Sequence, residues 1–149
     1  MSATSNPDLT PLVGSWRLLS HVTTCTDTRE RFEIFGQNPD GRMVLTAGNR
    51  IMFLFMKPNR QPPKSDAERA VLLAGMVAYT GTVRMDGPGR FITTVDLSGN
   101  PTWSGEQLRF FTVDGDRLTI RTPEQTFPLL SNGRLMVSEL VWERERSGT

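Results

Sequence analysis

Leu12-Val13-Gly14-Ser15-Trp16-Arg17-Leu18 opens the first run of strand-like alternation, and every later element reads as closing a barrel onto it. Gly14 lets the backbone turn or approach a second segment closely, and Trp16 brings the largest apolar surface of any side chain. Near the other end of the chain stands Leu140-Val141-Trp142-Glu143-Arg144. A closed antiparallel barrel needs its first and last strands to meet, so Trp16 and the terminal Arg144 are candidates to stack. A core Trp with an unrelated surface Arg fits the same residues. Beyond Trp16 the alternation places Trp16, Leu18, Ser20 and Val22 on one face and Arg17, Leu19, His21 and Thr23 on the other. The first face suits an interior. His21 is therefore expected outside.

Working outward, the chain reads as short strands and tight turns. Arg29 to Phe35 is a second strand, and Gly36-Gln37-Asn38-Pro39-Asp40-Gly41 is a loop of turn formers. Arg42 to Ala47 and Arg50 to Lys57 make a hairpin around Gly48-Asn49. Its second arm, Ile51 to Met56, is apolar on both faces, so its outer face needs a cover. The expected cover is a helix. Ser65-Asp66-Ala67-Glu68 has capping-box spacing, and helix formers run on to about Ala78 with Val71, Leu72, Leu73 and Met76 as an apolar stripe. Tyr79 to Met85 and Arg90 to Leu97 follow as strands, then Gln107 to Val113 and Arg117 to Thr122 around Asp114-Gly115-Asp116. A last pair, Gln125 to Leu130 and Arg134 to Arg144, folds around Asn132-Gly133. About nine or ten strands with one inserted α-helix predict an all-β fold, an antiparallel barrel or sandwich. Residues 1–11 read as a loose lead-in and 12–146 as one barrel domain, consistent with 149 residues in all.

Composition removes several function classes. Seventeen Lys plus Arg against sixteen Asp plus Glu give a net charge of +1, and the arginines are scattered. No basic block tracks phosphates, so nucleic acid is not an expected partner. Cys25 is the single cysteine and His21 the single histidine, which leaves no Cys or His set for a metal. No metal or other cofactor is expected. Phosphate-loop, dinucleotide, nucleophile-elbow and H-E-x-x-H motifs do not occur. Met1 to Asp8 lacks the apolar core of a signal peptide, and no run approaches the roughly eighteen apolar residues of a membrane span. A cytoplasmic protein without a membrane partner is the expectation.

A set of ordered motifs now carries a resemblance. It includes the opening stretch above, Phe35-Gly36-Gln37-Asn38-Pro39-Asp40-Gly41, Arg60 and Ala78-Tyr79-Thr80-Gly81. Pro101-Thr102-Trp103-Ser104-Gly105 with Gln107 and Arg109, Asp114-Gly115-Asp116-Arg117-Leu118 and the terminal Trp142-Glu143-Arg144 complete it. The chain resembles the bacterial and fungal lipocalin-like domain proteins, a calycin-type group. The resemblance implies an antiparallel barrel of about eight to ten strands with a cavity, and Trp16 near its closed end. It implies no single activity. Lipocalins at large bind small apolar molecules, and some related barrels act as isomerases or cyclases. Members often carry His in the strand before the Pro-x-Trp loop, where this chain has Thr93 and Thr94, so a His-dependent role there does not transfer.

If the barrel is hollow, the expected ligand-binding residues are Phe53, Phe55, Tyr79, Phe91, Trp103, Arg109 and Phe110. The same aromatic residues also fit a simple core. Tyr79, the sole Tyr, and Arg109 are the polar candidates, and Arg109 is suited to hold a ligand carboxylate through its paired donors. Catalytic candidates are Tyr79, Arg109, Asp96 and Glu139, where an acid or base would need burial to shift its pKa. Two functions stay open on the residues: a protein that binds a small apolar or amphipathic molecule, and a small barrel enzyme (isomerase, cyclase or hydrolase) of specialised metabolism. A homodimer through an exposed sheet face is compatible with either.

Overall fold

The longest strand, β1 (Gly14–Cys25), pairs antiparallel with β10 (Leu135–Arg144) from Trp16 opposite Arg144 to Cys25 opposite Met136. Its first residues also pair with β3 (Asp40–Leu45). This double pairing is the barrel seam. The structure, a computed structural model, describes residues 8–126 and 133–146. Between the seam strands run β4 (Arg50–Met56), β5 (Met76–Met85), β6 (Arg90–Ser98), β7 (Gly105–Asp114) and β8 (Arg117–Arg121). Each pairs with the next, and β8 pairs with β10, so eight strands close in the order β1-β3-β4-β5-β6-β7-β8-β10. Two short strands, β2 (Arg31–Phe32) and β9 (Gln125–Thr126), extend β1 and β10. The all-β antiparallel barrel with one inserted helix is the observed fold. The Leu130 end of the last expected hairpin and its Asn132 turn lie outside the described residues.

The opening stretch closes one end. Trp16 is fully buried, and its indole N–H donates to the Leu12 carbonyl at 3.0 Å across a 3-10 turn, Thr10–Leu12. The Arg144 guanidinium lies 4.2 Å from the centre of the Trp16 ring and donates to the Val13 and Pro11 carbonyls. One side chain thus covers the indole and ties the incoming chain to the last strand. Gly14 is required where they cross. Its φ is +131°, and a Cβ there would stand 3.0 Å from an Arg144 nitrogen. Leu9 and Leu12 add buried apolar surface below Trp16, so the end of the lead-in is part of the core.

Above the plug, β1 leaves strict alternation. Leu18 faces Trp142, but Ser20, not Leu19, faces Val141. Leu19 is the extra residue of a β-bulge, which lets two residues oppose one on the partner. From there His21, Thr23 and Cys25 point inward and are buried. The expectation that His21 and Thr23 face solvent, with Ser20 and Val22 inside, is overturned by this one residue. A second irregularity falls between Thr80 and Gly81 against β6. A Cβ on Gly81 would lie 2.1 Å from the Thr94 carbonyl oxygen, a closeness only glycine tolerates.

Two other expectations change. The strand expected over Arg29 to Phe35 shrinks to Arg31–Phe32, because Arg29 (φ 63°) and Gly36 (φ 85°) turn the chain and swing Phe35 into the interior. The helix α1 (Asp66–Ala74) is capped as its sequence predicts, Ser65 Oγ accepting the Glu68 N–H at 3.1 Å. It ends before Ala78 because Met76, Val77 and Ala78 pair with β4 instead. It also leaves the outer face of β4 uncovered. None of its residues is buried, Val71 is 66 % exposed, and Met52 and Leu54 on the outer face of β4 stay 55 % and 46 % exposed. Its C-terminal carbonyls are held by Arg60, which donates to Leu72 at 3.1 Å.

Candidate functional site

Inward-facing residues sort by height in the barrel. Toward the Trp16 end they are apolar and closely packed: Leu18, Met43, Ile51, Phe91, Leu118 and Trp142 are all buried. One layer higher the character changes. The β1 bulge turns His21 and Thr23 inward, β10 adds Ser138, and the residue after β8 is the buried Thr122. Thr23 and Ser138 share a hydroxyl–hydroxyl hydrogen bond of 2.8 Å, and the Ser138 N–H donates to Thr122 Oγ1 at 2.9 Å. Across the barrel stand Tyr79 on β5 and Arg109 on β7, both buried.

All of these except Thr23 line a cavity of about 40 Å3, whose apolar walls include Phe35, Phe53, Phe55, Ile120 and Leu140. That is room for a few waters, at about 10–15 Å3 for the first. Sites for drug-sized molecules start near ~300 Å3, so a larger occupant must move part of the wall. Trp103 is carried by the loop between β6 and β7, and its ring stacks on Tyr79 at 6.5 Å.

The electrostatics follow from burial. Losing water pushes the His21 imidazole from 6.5 to about 4, so it is neutral at pH 7. Its ring sits edge-on to Phe35 at 4.7 Å and 5.7 Å from Phe55, and Nδ1 has no hydrogen-bond partner. Burial also raises the Tyr79 phenol, an effect partly offset by the Arg109 guanidinium beside it. Arg109 is 6 % exposed. It donates to the Leu108 carbonyl at 2.7 Å and to Gln107 Oε1 at 3.3 Å, and no carboxylate pairs with it among the described residues.

Of the expected ligand-binding residues, Phe53, Phe55, Tyr79, Trp103 and Arg109 meet at this cavity. Phe91 is inside but belongs to the packed layer, 5.7 Å from Phe111, and does not reach the cavity. Phe110 is a correction: Arg109 and Phe111 turn inward, so Phe110 faces out, lining a surface hollow with Arg90 and Arg121. Both acids are corrections as well. Asp96 sits at the β6 irregularity on the outer surface, paired with Arg50 at 2.8 Å, and Glu139 is exposed on the outer face of β10. Neither can serve as an interior acid or base. His21, Phe35, Thr122, Gln125 and Ser138 were missed by sequence reasoning. The bulge hides the first, and Ser138 alone had a signal, as a polar residue between Met136 and Leu140 on the inward face.

A closed up-and-down barrel, locked at one end by Trp16 and Arg144 and amphipathic inside the other, is a lipocalin-type barrel. The chain belongs to the lipocalin-like domain family, whose model matches residues 13–145. No curated protein is similar enough to count as a match.

Proposed function

We propose that this protein binds a small amphipathic molecule inside the upper half of the barrel. The observation that carries this reading is the change of lining above the packed layer. There the aromatic wall of Phe35, Phe53 and Phe55 faces Arg109, Tyr79 and His21 around a cavity. A core built for stability alone gains little from buried polar groups that lack partners. The neutral fluorescent probe 1-aminoanthracene tests the site. Saturable emission at one probe per chain is expected, and Leu140→Trp, which fills the cavity, should abolish it in a protein that still melts cooperatively. Emission indifferent to the filling substitution would reject the reading.

A second reading, catalysis, draws on His21. A neutral imidazole facing a cavity that also holds Tyr79 and Arg109 could move a proton on a bound carbonyl compound. It predicts accelerated exchange of α-protons with D2O for such compounds, lost in His21→Gln. Unaccelerated exchange leaves binding alone.

A further inference from the structure

We propose that the occupant, admitted by displacement of part of the cavity wall, is an organic monoacid, its carboxylate held by Arg109 and its apolar body lying against Phe53, Phe55 and Leu140. The proposal rests on the binding reading above and adds the ligand's charge.

Arginines at the surface of this barrel find carboxylates readily. Arg17 pairs with Glu143, Arg42 with Glu145, Arg50 with Asp96 and Arg84 with Glu106. Arg109 lies deeper than any of these and has only neutral neighbours: a backbone carbonyl, an amide oxygen and the Tyr79 phenol. Burying a cation without a counter-charge is costly, and the cost falls when an anion arrives. No carboxylate among the described residues pairs with Arg109. Glu106 is exposed on the same strand and bound to Arg84, while Asp96 and Glu139 are on the outer surface.

Donor capacity agrees. A guanidinium has five N–H groups in a planar fork, and Arg109 directs them at the Leu108 carbonyl, the Gln107 amide oxygen and the Tyr79 phenol, which leaves two. The remaining N–H groups suit a carboxylate in the two-point manner that arginine prefers. Tyr79, raised by burial and so protonated at neutral pH, has a hydroxyl to donate to the second oxygen. One cation argues for one negative charge, since His21 across the barrel is neutral at pH 7. A dianionic phosphate monoester would leave a charge uncompensated, and a cationic ligand would meet Arg109 directly.

Matched probe pairs test this on the full chain at pH 7.5 by isothermal titration calorimetry: octanoate with octanol, and 2-naphthoate with 2-naphthylmethanol. Charge-assisted hydrogen bonds in a site of this kind predict that each acid binds about 10- to 100-fold tighter than its alcohol. Arg109→Met should erase that advantage, bringing each acid to within about threefold of its alcohol, and Arg109→Lys should keep part of it. Acids and alcohols binding the wild type equally would overturn the monoacid proposal and leave the binding reading intact. No binding by either member of either pair would overturn both. If Arg109→Met does not fold, the acid-to-alcohol ratio in the wild type decides alone.

Discussion

His21 makes the stability of this barrel depend on pH in a defined window. The imidazole is 3 % exposed, and burial holds it at about 4 against an ordinary 6.5. In the unfolded chain it takes up a proton as the pH falls through 6.5, while in the native barrel it stays neutral down to about 4. Between those values the unfolded state binds more protons, so stability rises with pH and is lost on acidification. At about 1.4 kcal/mol per pKa unit the loss across the window is about 3 kcal/mol. Urea denaturation followed by tryptophan emission at pH 7.5, 6, 5 and 4 measures it. His21→Leu is the comparison. It removes the titration and an unpartnered polar atom, and should lie within about 1 kcal/mol of the wild type at pH 7.5. Other acid-sensitive groups are shared by both proteins. The Thr10 N–H holds the Asp8 carboxyl below its usual range, the Cys25 thiol does the same for Asp27, and the Ser15 hydroxyl for Glu145. Their contributions are lost at lower pH still and cancel in the difference. By pH 4 the wild type should have lost about 3 kcal/mol more than His21→Leu. Parallel curves, within about 0.5 kcal/mol, would mean that His21 is not buried, and the bulge assignment would fall with it.

Three further outcomes follow from the packing. Trp16→Ala should cost about 3–5 kcal/mol in urea melts, as large core truncations do, and a loss below about 1 kcal/mol would place the indole outside the core. Gly81→Ala should cost about 1–3 kcal/mol or more, because the new Cβ must push the Thr94 carbonyl aside; an unchanged melt would contradict the β5–β6 register. Deleting Leu19 should keep His21, Thr23 and Cys25 inward, whereas deleting Val22 should turn Cys25 outward. Native-state labelling with a thiol reagent separates them, and rapid labelling of the Leu19 deletion would refute the bulge.

Closure of the barrel was legible because its evidence is local at both ends. Gly14 and Trp16 announce a crowded strand start, Trp142 and Arg144 a matching finish, and antiparallel closure brings them together. The Ser65–Glu68 cap was legible for the same reason, since a helix start depends on four neighbouring residues. What α1 packs against depends on the distant β4, and an apolar stripe does not say whether its partner is this chain. The bulge was illegible in principle. Leu18-Leu19 are both apolar and Ser20-His21 both polar, so either phase fits and the inserted residue leaves no mark on a period of two. On β7 the adjacent Arg109 and Phe110 were both expected at the ligand, although neighbouring residues of a strand face opposite ways. Arg109 takes the interior with Phe111, which leaves the more apolar Leu108 and Phe110 on the outer face.

That inversion bears on what the barrel is for. Turning β7 by one residue would place Leu108 and Phe110 inside and Arg109 in water, a cheaper arrangement by burial alone. The register cannot slip so, because Phe111 and Val113 on the same inward face pack into the apolar layer with Phe91 and Leu118. The lower half of β7 therefore dictates the face of its upper half, and Arg109 is carried into the cavity as a consequence. A similar constraint acts on β1, where Trp16 and Leu18 anchor the strand below the bulge and Cys25 against Met136 anchors it above. His21 is held between two fixed points. The packed half thus positions an arginine and a neutral imidazole that an apolar filling of the upper half would not require. In proteins, violations of local preference of this kind concentrate at functional sites.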